Sequence, residues 1–539
     1  MNRINLQQER NRNLGKILQL HAESIGDDPF LLSDNDRYSY AESNATVNAY
    51  ANGLKKMGIE AGNRIVIYMN SCVEFVFLTL AANKLGAVWV PINTDYKGDW
   101  LAEAINDSRA AILITDTDLY PRVLEVDSKA QYPQLIVKDT GSGSMPGDSS
   151  VSTIAQLGDN PTDEPNLDFI HYGDTSAILW TSGTTGKPKG VMQSHNVWVI
   201  AAANSNKLYG TQDDDIAYNF LPLYNSASWV GNIYRTLVSG NPCALDDAFS
   251  VSSFWDRVRF YQATQTFTLG AMHMFLWNAP ETPQDADNTL RVVSMVPMPD
   301  DILMPFIERF NLEGIMQGYG QSEVMLLLSK LDTRKHRWKP NALGRLSTDA
   351  ELKLLDSRGE EVAPGQVGEF SIKPHAPYTI FNGYFDNPEA TANAYNGEWF
   401  GTGDLGICDA DGDYFFVDRK KDYIRLKGRN VSSLQVESIV MRHPAVQAAA
   451  VYGTPSDHLA SEDEIKLDVI LKPEQTVSAE DLAKFVNENA PYYCVPRIIE
   501  FVGELPYTPT NKLQKYKLRQ KKLLDTVWDR LDSSFVIRR

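Results

Sequence analysis

Ten residues, Thr181-Ser-Gly-Thr-Thr-Gly-Lys-Pro-Lys-Gly190, hold three glycines, four hydroxyl side chains and two lysines. That mixture suits a loop wrapped around a polyphosphate. Glycines let backbone N–H groups converge on anionic oxygens, hydroxyls add donors, and lysines supply charge. It is not a Walker A loop, which needs four residues between its glycines. Only Thr184 and Thr185 separate Gly183 from Gly186, and Pro188 follows Lys187 where Ser or Thr belongs. A flexible turn is the plainer reading of the same composition.

Further along, other short stretches combine charged residues with glycine or hydroxyl side chains. They are Gly318-Tyr-Gly-Gln-Ser-Glu323, Trp399-Phe-Gly-Thr-Gly-Asp404, Asp418-Arg-Lys-Lys-Asp-Tyr-Ile followed by Lys427-Gly-Arg-Asn430, and Leu505-Pro-Tyr-Thr-Pro-Thr-Asn-Lys512. In this order, and with the segment at 181–190, they resemble the motifs of the adenylate-forming superfamily. That group includes acyl-CoA synthetases, nonribosomal peptide adenylation domains and firefly luciferase. The likeness runs from Tyr38 to Arg519.

The resemblance implies an AMP-forming acid–CoA ligase. It would use ATP and Mg²⁺ to join a carboxylic acid to the α-phosphate of ATP, then pass the acyl group to coenzyme A. Two anions must meet in the first step, so cations are needed where charge concentrates. Glu323 would ligate the hard Mg²⁺, which usually takes one or two carboxylates plus phosphate oxygens. Lys512 would bridge the attacking carboxylate and the α-phosphate as a mobile point charge. Glu323 and Lys512 are thus the expected catalytic pair.

The expected nucleotide contacts are Thr181, Ser182, Gly183, Thr184, Thr185 and Lys187 around the phosphates. Gly318, Tyr319, Gly320 and Ser322 are further expected nucleotide contacts, with Tyr319 able to stack on adenine; Asp404 would meet the ribose, and Arg419 would add a fixed cation near ribose or phosphate. Asp404 is acceptor-only and matches paired ribose hydroxyls. The resemblance places a hinge two residues after the motif arginine, at Lys421. It also places a pantetheine tunnel at Lys427, Gly428 and Arg429, so that rotation of a C-terminal domain serves two chemistries in turn.

Several positions depart from the family pattern. Gly428 stands alone where two adjacent glycines are frequent, and Asn511 replaces the glycine before the lysine. Asn225 occupies the place of a gating histidine, and Met295-Val-Pro-Met replaces a small Gly-Ala run. By position relative to the motifs, the acyl pocket is expected from Tyr224, Asn225, Trp229, Gly270, His273, Gly318 and Met325. Phe220 to Ser228 contains no aspartate for an α-ammonium, which disfavours amino acids. Lys335-His-Arg-Trp-Lys-Pro and Ile380-Phe-Asn-Gly-Tyr-Phe-Asp-Asn-Pro-Glu-Ala-Thr resemble the crotonobetaine/carnitine–CoA ligase branch. Tyr224 and Trp229 could face a quaternary ammonium or simply pack an apolar wall. His273 reads better as a satisfied histidine than as a catalyst.

The elements that must hold these residues alternate between strand and helix. Arg64–Tyr68, Ala87–Ile92, Ala110–Thr115 and Ala177–Thr181 read as strands, with a helix over Cys72–Lys84 and another starting near Asn196. This predicts an α/β fold with a largely parallel sheet. Asp139–Asp163, rich in Gly, Ser, Asp and Pro, reads as a surface connection. From Ala350 hairpins predict a small β unit, and a basic run beginning at Asp418 precedes renewed αβ alternation. The expected division is an N-terminal ATP- and acyl-binding domain over 1–420 and a mobile α+β domain over 421–539.

At 539 residues, with 43% apolar and 22% charged side chains, the chain has ample material for a core. Its net charge of −18 argues against nucleic acid or an anionic membrane as partner. Four scattered cysteines form neither a disulfide framework nor a metal cluster. The polar opening is no signal peptide, the ending carries no lipidation signal, and Val73–Ile92 is too broken to span a membrane. A cytoplasmic enzyme is expected, with monomer and homodimer both open. Two other readings share the motifs: an adenylating enzyme that loads a carrier protein or releases its adenylate, and a silent nucleotide-binding relative.

Overall fold

The computed structural model describes residues 4–34, 36–143, 145, 147, 151–181, 188–426, 429–455, 463–507, 512–521 and 527–537. Two compact units emerge. One comprises Met1–Thr181, Lys189–Glu351 and Pro374–Asn393; the other takes in Leu352–Lys373 and Ala394–Arg539.

In the first unit a seven-stranded sheet runs Ser152–Thr153, Leu135–Lys138, Ile112–Asp116, Arg64–Tyr68, Val88–Pro91, Thr175–Thr181, Lys189–Ser194. Neighbours are parallel except the last pair. Its strands are apolar on both faces, as expected of a parallel sheet covered on two sides. Ile65 and Ile67 enter one core cluster, while Val66 and Tyr68 enter another. The helix Val73–Lys84 is buried along its whole length, which is why its sequence is apolar all round. Its one charged C-terminal residue, Lys84, is satisfied internally by Asn44, Asn48 and Glu164.

A second sheet of this unit orders Ala342–Leu346, Leu328–Thr333, Gly314–Tyr319, Val292–Val296, Gln265–Leu269, Ala217–Asn219, Cys243–Leu245, Pro29–Ser33 and Asp36–Ser39. The middle strands are parallel and the ends antiparallel. Its core gathers Val293, Met295, Ile315, Phe306 and Phe310.

The α/β expectation holds, with two local differences. The stretch 139–163 is not purely a surface connection. It contains the strand Ser152–Thr153 and the helix Ile154–Gly158, started by a Thr153/Gln156 capping box. Ile154 and Leu157 are buried there, an anchor hidden by the polar residues around it. Second, a strand, Lys189–Ser194, intervenes between the phosphate segment and the helix His195–Tyr209.

In the second unit Ala350–Leu355, Gly368–Pro374, Trp399–Cys408 and Tyr414–Arg419 are successive neighbours in a β layer. Its first turn is built on Asp356, whose carboxylate accepts from the backbone of Arg358 and Glu360. A separate sheet follows, ordered Val446–Pro455, Asp463–Leu471, Ile498–Phe501, Trp528–Asp529. The helices Ser433–Met441 and Ala479–Asn489 pack on it around Val436, Val440, Leu467, Leu482 and Val486. Among the described residues no helix is long and apolar enough to cross a membrane.

Candidate active site

The first unit positions the strands flanking the phosphate segment and the loop carrying Glu323. Strand Thr175–Thr181 turns back as Lys189–Ser194, with Thr181 opposite Lys189. Ser182, Gly183, Thr184, Thr185 and Lys187 lie outside the described residues. The segment is thus flanked by two antiparallel strands, unlike the strand-then-helix order around a Walker loop. Thr181 Oγ1 donates to the Lys189 carbonyl at 3.2 Å.

Beside the strand Lys189–Ser194, the strand Gly314–Tyr319 leads into the loop that carries Gly320, Ser322 and Glu323. The loop is tight. A Cβ on Gly320 would come within 1.6 Å of the Met325 carbonyl oxygen, so only glycine fits. Met325 itself adopts φ 53°, a left-handed conformation, and its N–H donates to Gln321 O at 2.7 Å. Residues held in such regions need surrounding structure to keep them there. Two links supply it. Gln193 of the returning strand donates to the Ser322 carbonyl, and Phe381 N–H donates to Glu323 O at 2.9 Å. The Glu323 carboxylate is 8% exposed and its Oε1 accepts from the Tyr384 hydroxyl at 2.8 Å. Tyr319 is half-buried, with its hydroxyl 3.4 Å from Gln321 Nε2. Gly318, Tyr319, Gly320, Ser322, Glu323 and Met325 thus share one loop anchored to the strand that leaves the phosphate segment.

The expected acyl residues divide. Tyr224 is half-buried, and burial pushes its phenol up to about 12. Asn225 spends its side-chain oxygen on Ala227 N–H at 3.1 Å, capping a short helix. Gly270 takes φ 45° just ahead of the helix Ala271–Asn278. Trp229 belongs to the core: it is fully buried, donates its indole N–H to Leu223 O, and packs against Trp89 with ring centroids 4.8 Å apart. It does not join Tyr224 in an open aromatic cage. His273 is also fully buried. Its ring nitrogens meet Thr268 Oγ1 at 3.0 Å and Pro297 O at 2.8 Å, and burial lowers its pKa. Both nitrogens are occupied, so it is a satisfied histidine.

The second unit holds further residues expected to contact the nucleotide. Asp404 and Arg419 stand opposite each other on the antiparallel strands Trp399–Cys408 and Tyr414–Arg419. Two motifs fifteen residues apart in the chain thereby become one acid–base pair of side-chain positions. Glu369, which carries no motif, braces them. Its carboxylate accepts from Gly403 N–H at 2.9 Å and from Lys420 Nζ at 2.6 Å. Lys421 follows in a turn, and burial lowers its ammonium to about 8.

The flanks of Lys421 are tied down. Asp418 is 1% exposed and accepts at Oδ2 from Ser433 N at 2.7 Å and Ser433 Oγ at 2.8 Å. Ser433 Oγ accepts in turn from Lys515 Nζ at 2.6 Å, and Lys515 pairs with Glu437 at 2.9 Å. On the other side Asp422 pairs with Arg519 at 2.8 Å. Lys427, Gly428 and Asn511 lie outside the described residues. Arg429 opens a strand paired with Ile424–Leu426. Lys512 is exposed, next to Leu513, which bridges to Tyr507, and just before the helix Lys515–Arg519.

The AMP-binding enzyme family matches residues 18–385, and the AMP-binding enzyme C-terminal domain matches residues 435–512. The chain belongs to the AMP-binding enzyme family. A crotonobetaine/carnitine–CoA ligase from Salmonella agona (strain SL483) is 31% identical over 488 residues, covering 90% of this chain and 93% of the relative. Among solved structures, the anthranilate CoA ligase AuaEII in complex with anthranoyl-AMP superposes with a TM-score of 0.78 at 25% identity, covering 94% of this chain and 96% of that one. ATP-bound MatB from Rhodopseudomonas palustris gives 0.80 at 23% identity, over 94% and 98% of the chains, and shares the fold. With these relatives the protein is an enzyme of the AMP-forming acyl-CoA synthetase class.

Proposed function

We propose that the protein is an ATP-dependent acid–CoA ligase for a small carboxylic acid. The acid's carboxylate oxygen attacks the α-phosphorus of ATP, the bond to the β-phosphate oxygen breaks, and pyrophosphate leaves. The thiol of coenzyme A then attacks the acyl carbonyl and loses its proton, the acyl–phosphate bond breaks, and AMP departs. The observation that carries this reading is the join between the Glu323 loop and the strand leaving the phosphate segment, made by Gln193 and Phe381.

Glu323 fits Mg²⁺. It is a hard oxygen donor, largely buried, with one oxygen already fixed by Tyr384, and Mg²⁺ on a nucleotide is held by one or two carboxylates plus phosphate oxygens. Bound there, the ion would offset the charge of the departing pyrophosphate. Asp404 would accept from the ribose hydroxyls and Tyr319 would offer a face to adenine. Arg419 and Lys512 would bring fixed and mobile positive charge. Lys421 would be the pivot of a mobile domain over 421–539, with Lys427, Gly428 and Arg429 toward the thiol arm.

For the acid, the relatives' names bring a quaternary ammonium and an aromatic carboxylate into view. With Trp229 in the core, a two-sided cage of Tyr224 and Trp229 is not favoured. Tyr224 and Met325 instead suit a mostly apolar wall. The test is pyrophosphate release across a panel of carboxylic acids, with and without coenzyme A. A coenzyme A-dependent turnover on one acid supports the ligase. Pyrophosphate release that ignores coenzyme A would point to a carrier protein as acceptor or to release of the adenylate.

A further inference from the structure

Tyr384 lies in Ile380–Phe385, a stretch to which the sequence assigns no chemistry. The structure threads it between two parts that must act on the same nucleotide. Its backbone is fixed along the strand leaving the phosphate segment. Asn382 N–H donates to Met192 O at 2.8 Å, Met192 N–H to Gly383 O at 3.0 Å, and Phe385 N–H to Gly190 O at 2.7 Å. Tyr384 stands opposite Val191, and its own N–H donates to Thr391 Oγ1 at 2.9 Å. Its side chain is 7% exposed and reaches the other way, donating its hydroxyl to Glu323 Oε1 at 2.8 Å. Lys189 Nζ lies 4.6 Å from the centroid of its ring.

A glutamate carboxylate rotates freely about its last torsion, which is broad and two-fold. A single donor to one oxygen removes that freedom and sets where the second oxygen points. A cation against the ring face of Tyr384 strengthens the contact from the other side. Partners that hold a metal's ligands in this way govern affinity although they never touch the ion.

We propose that Tyr384 is a positioning residue that orients the Glu323 carboxylate toward the divalent cation accompanying ATP and keeps it in register with the strand leaving the phosphate segment. This rests on the reading of Glu323 as the metal ligand. The experiment measures Mn²⁺ binding to the full chain by electron paramagnetic resonance, in the presence of a non-cleavable ATP analogue. Tyr384→Phe removes one oxygen and keeps the ring. Its apparent Mn²⁺ affinity is expected to weaken by about tenfold or more, with affinity for the analogue in EDTA unchanged and thermal unfolding confirming the fold. In a Glu323→Gln background the same change should bring no further loss, because the two residues act through one contact. Unchanged Mn²⁺ affinity in Tyr384→Phe, or losses that simply add, would overturn the proposal while leaving the ligase reading intact. A parent that holds no Mn²⁺ with the nucleotide would overturn both.

Discussion

At the scale of single residues, a proposed role is legible in the sequence where it depends on residue type within a motif, and hidden where it depends on a partner. Glu323, Asp404, Arg419 and Lys512 lie in motif stretches that mark them as candidates. Tyr384 and Glu369 do not, because a lone Tyr or Glu in a strand-like stretch has no local signature. Their roles come from Glu323 lying 61 residues away and from Gly403 lying 34 residues away. Trp229 shows the converse. A tryptophan near an expected pocket reads as a wall, yet its indole completes the Trp89 cluster inside the core. For Lys512 the account expects a split effect. Lys512→Ala should slow adenylation by about a hundredfold or more, the scale of losing one aimed charge stabiliser. Thioester formation from supplied acyl adenylate should change only a few-fold. Equal loss in both half-reactions, measured by rapid quench, would argue against its role.

At the scale of elements, strands buried on both faces were read within a residue or two, since Arg64–Tyr68 is apolar at every interior position. The strand Lys189–Ser194 was missed because it follows a glycine-rich loop directly and abuts the His195 helix without a turn signal. The same scale governs the region around Lys421. Lys421→Pro fixes φ near −65° in the turn between Asp418 and Asp422, and should impair the thioester step more than adenylation. Equal rates to the parent in both steps would refute a pivot there. Just beyond, Ser433 passes a hydrogen bond from Lys515 to Asp418. Ser433→Ala would leave a buried ammonium and a buried carboxylate each one partner short. It should cost about 1–3 kcal/mol in urea unfolding, and a cost near zero would show that the chain of contacts is incidental.

At the scale of the whole molecule, the alternation of strand and helix set the class, and the two sheets of the first unit realise it. Stability also carries a pH signature. Full burial pushes His195 down to about 3, and its Nδ1 accepts from Leu14 N–H. The unfolded imidazole titrates near 6.5. Its folded pKa is the lower one, so its penalty is absent above about 6.5 and grows as pH falls toward 3. Over that window this one side chain should remove about 1.4 kcal/mol of stability per pH unit. His195→Gln should flatten the decline between pH 6 and 4.5 by that amount, read from urea unfolding at each pH. Parallel profiles would contradict neutral burial. The central claim, activation of an acid by transfer of AMP, is tested most directly by exchange of labelled pyrophosphate into ATP without coenzyme A. The account predicts exchange that requires both a carboxylic acid and a divalent cation, and that is lost in Glu323→Gln. No exchange by the parent protein with any acid of a broad panel would contradict it.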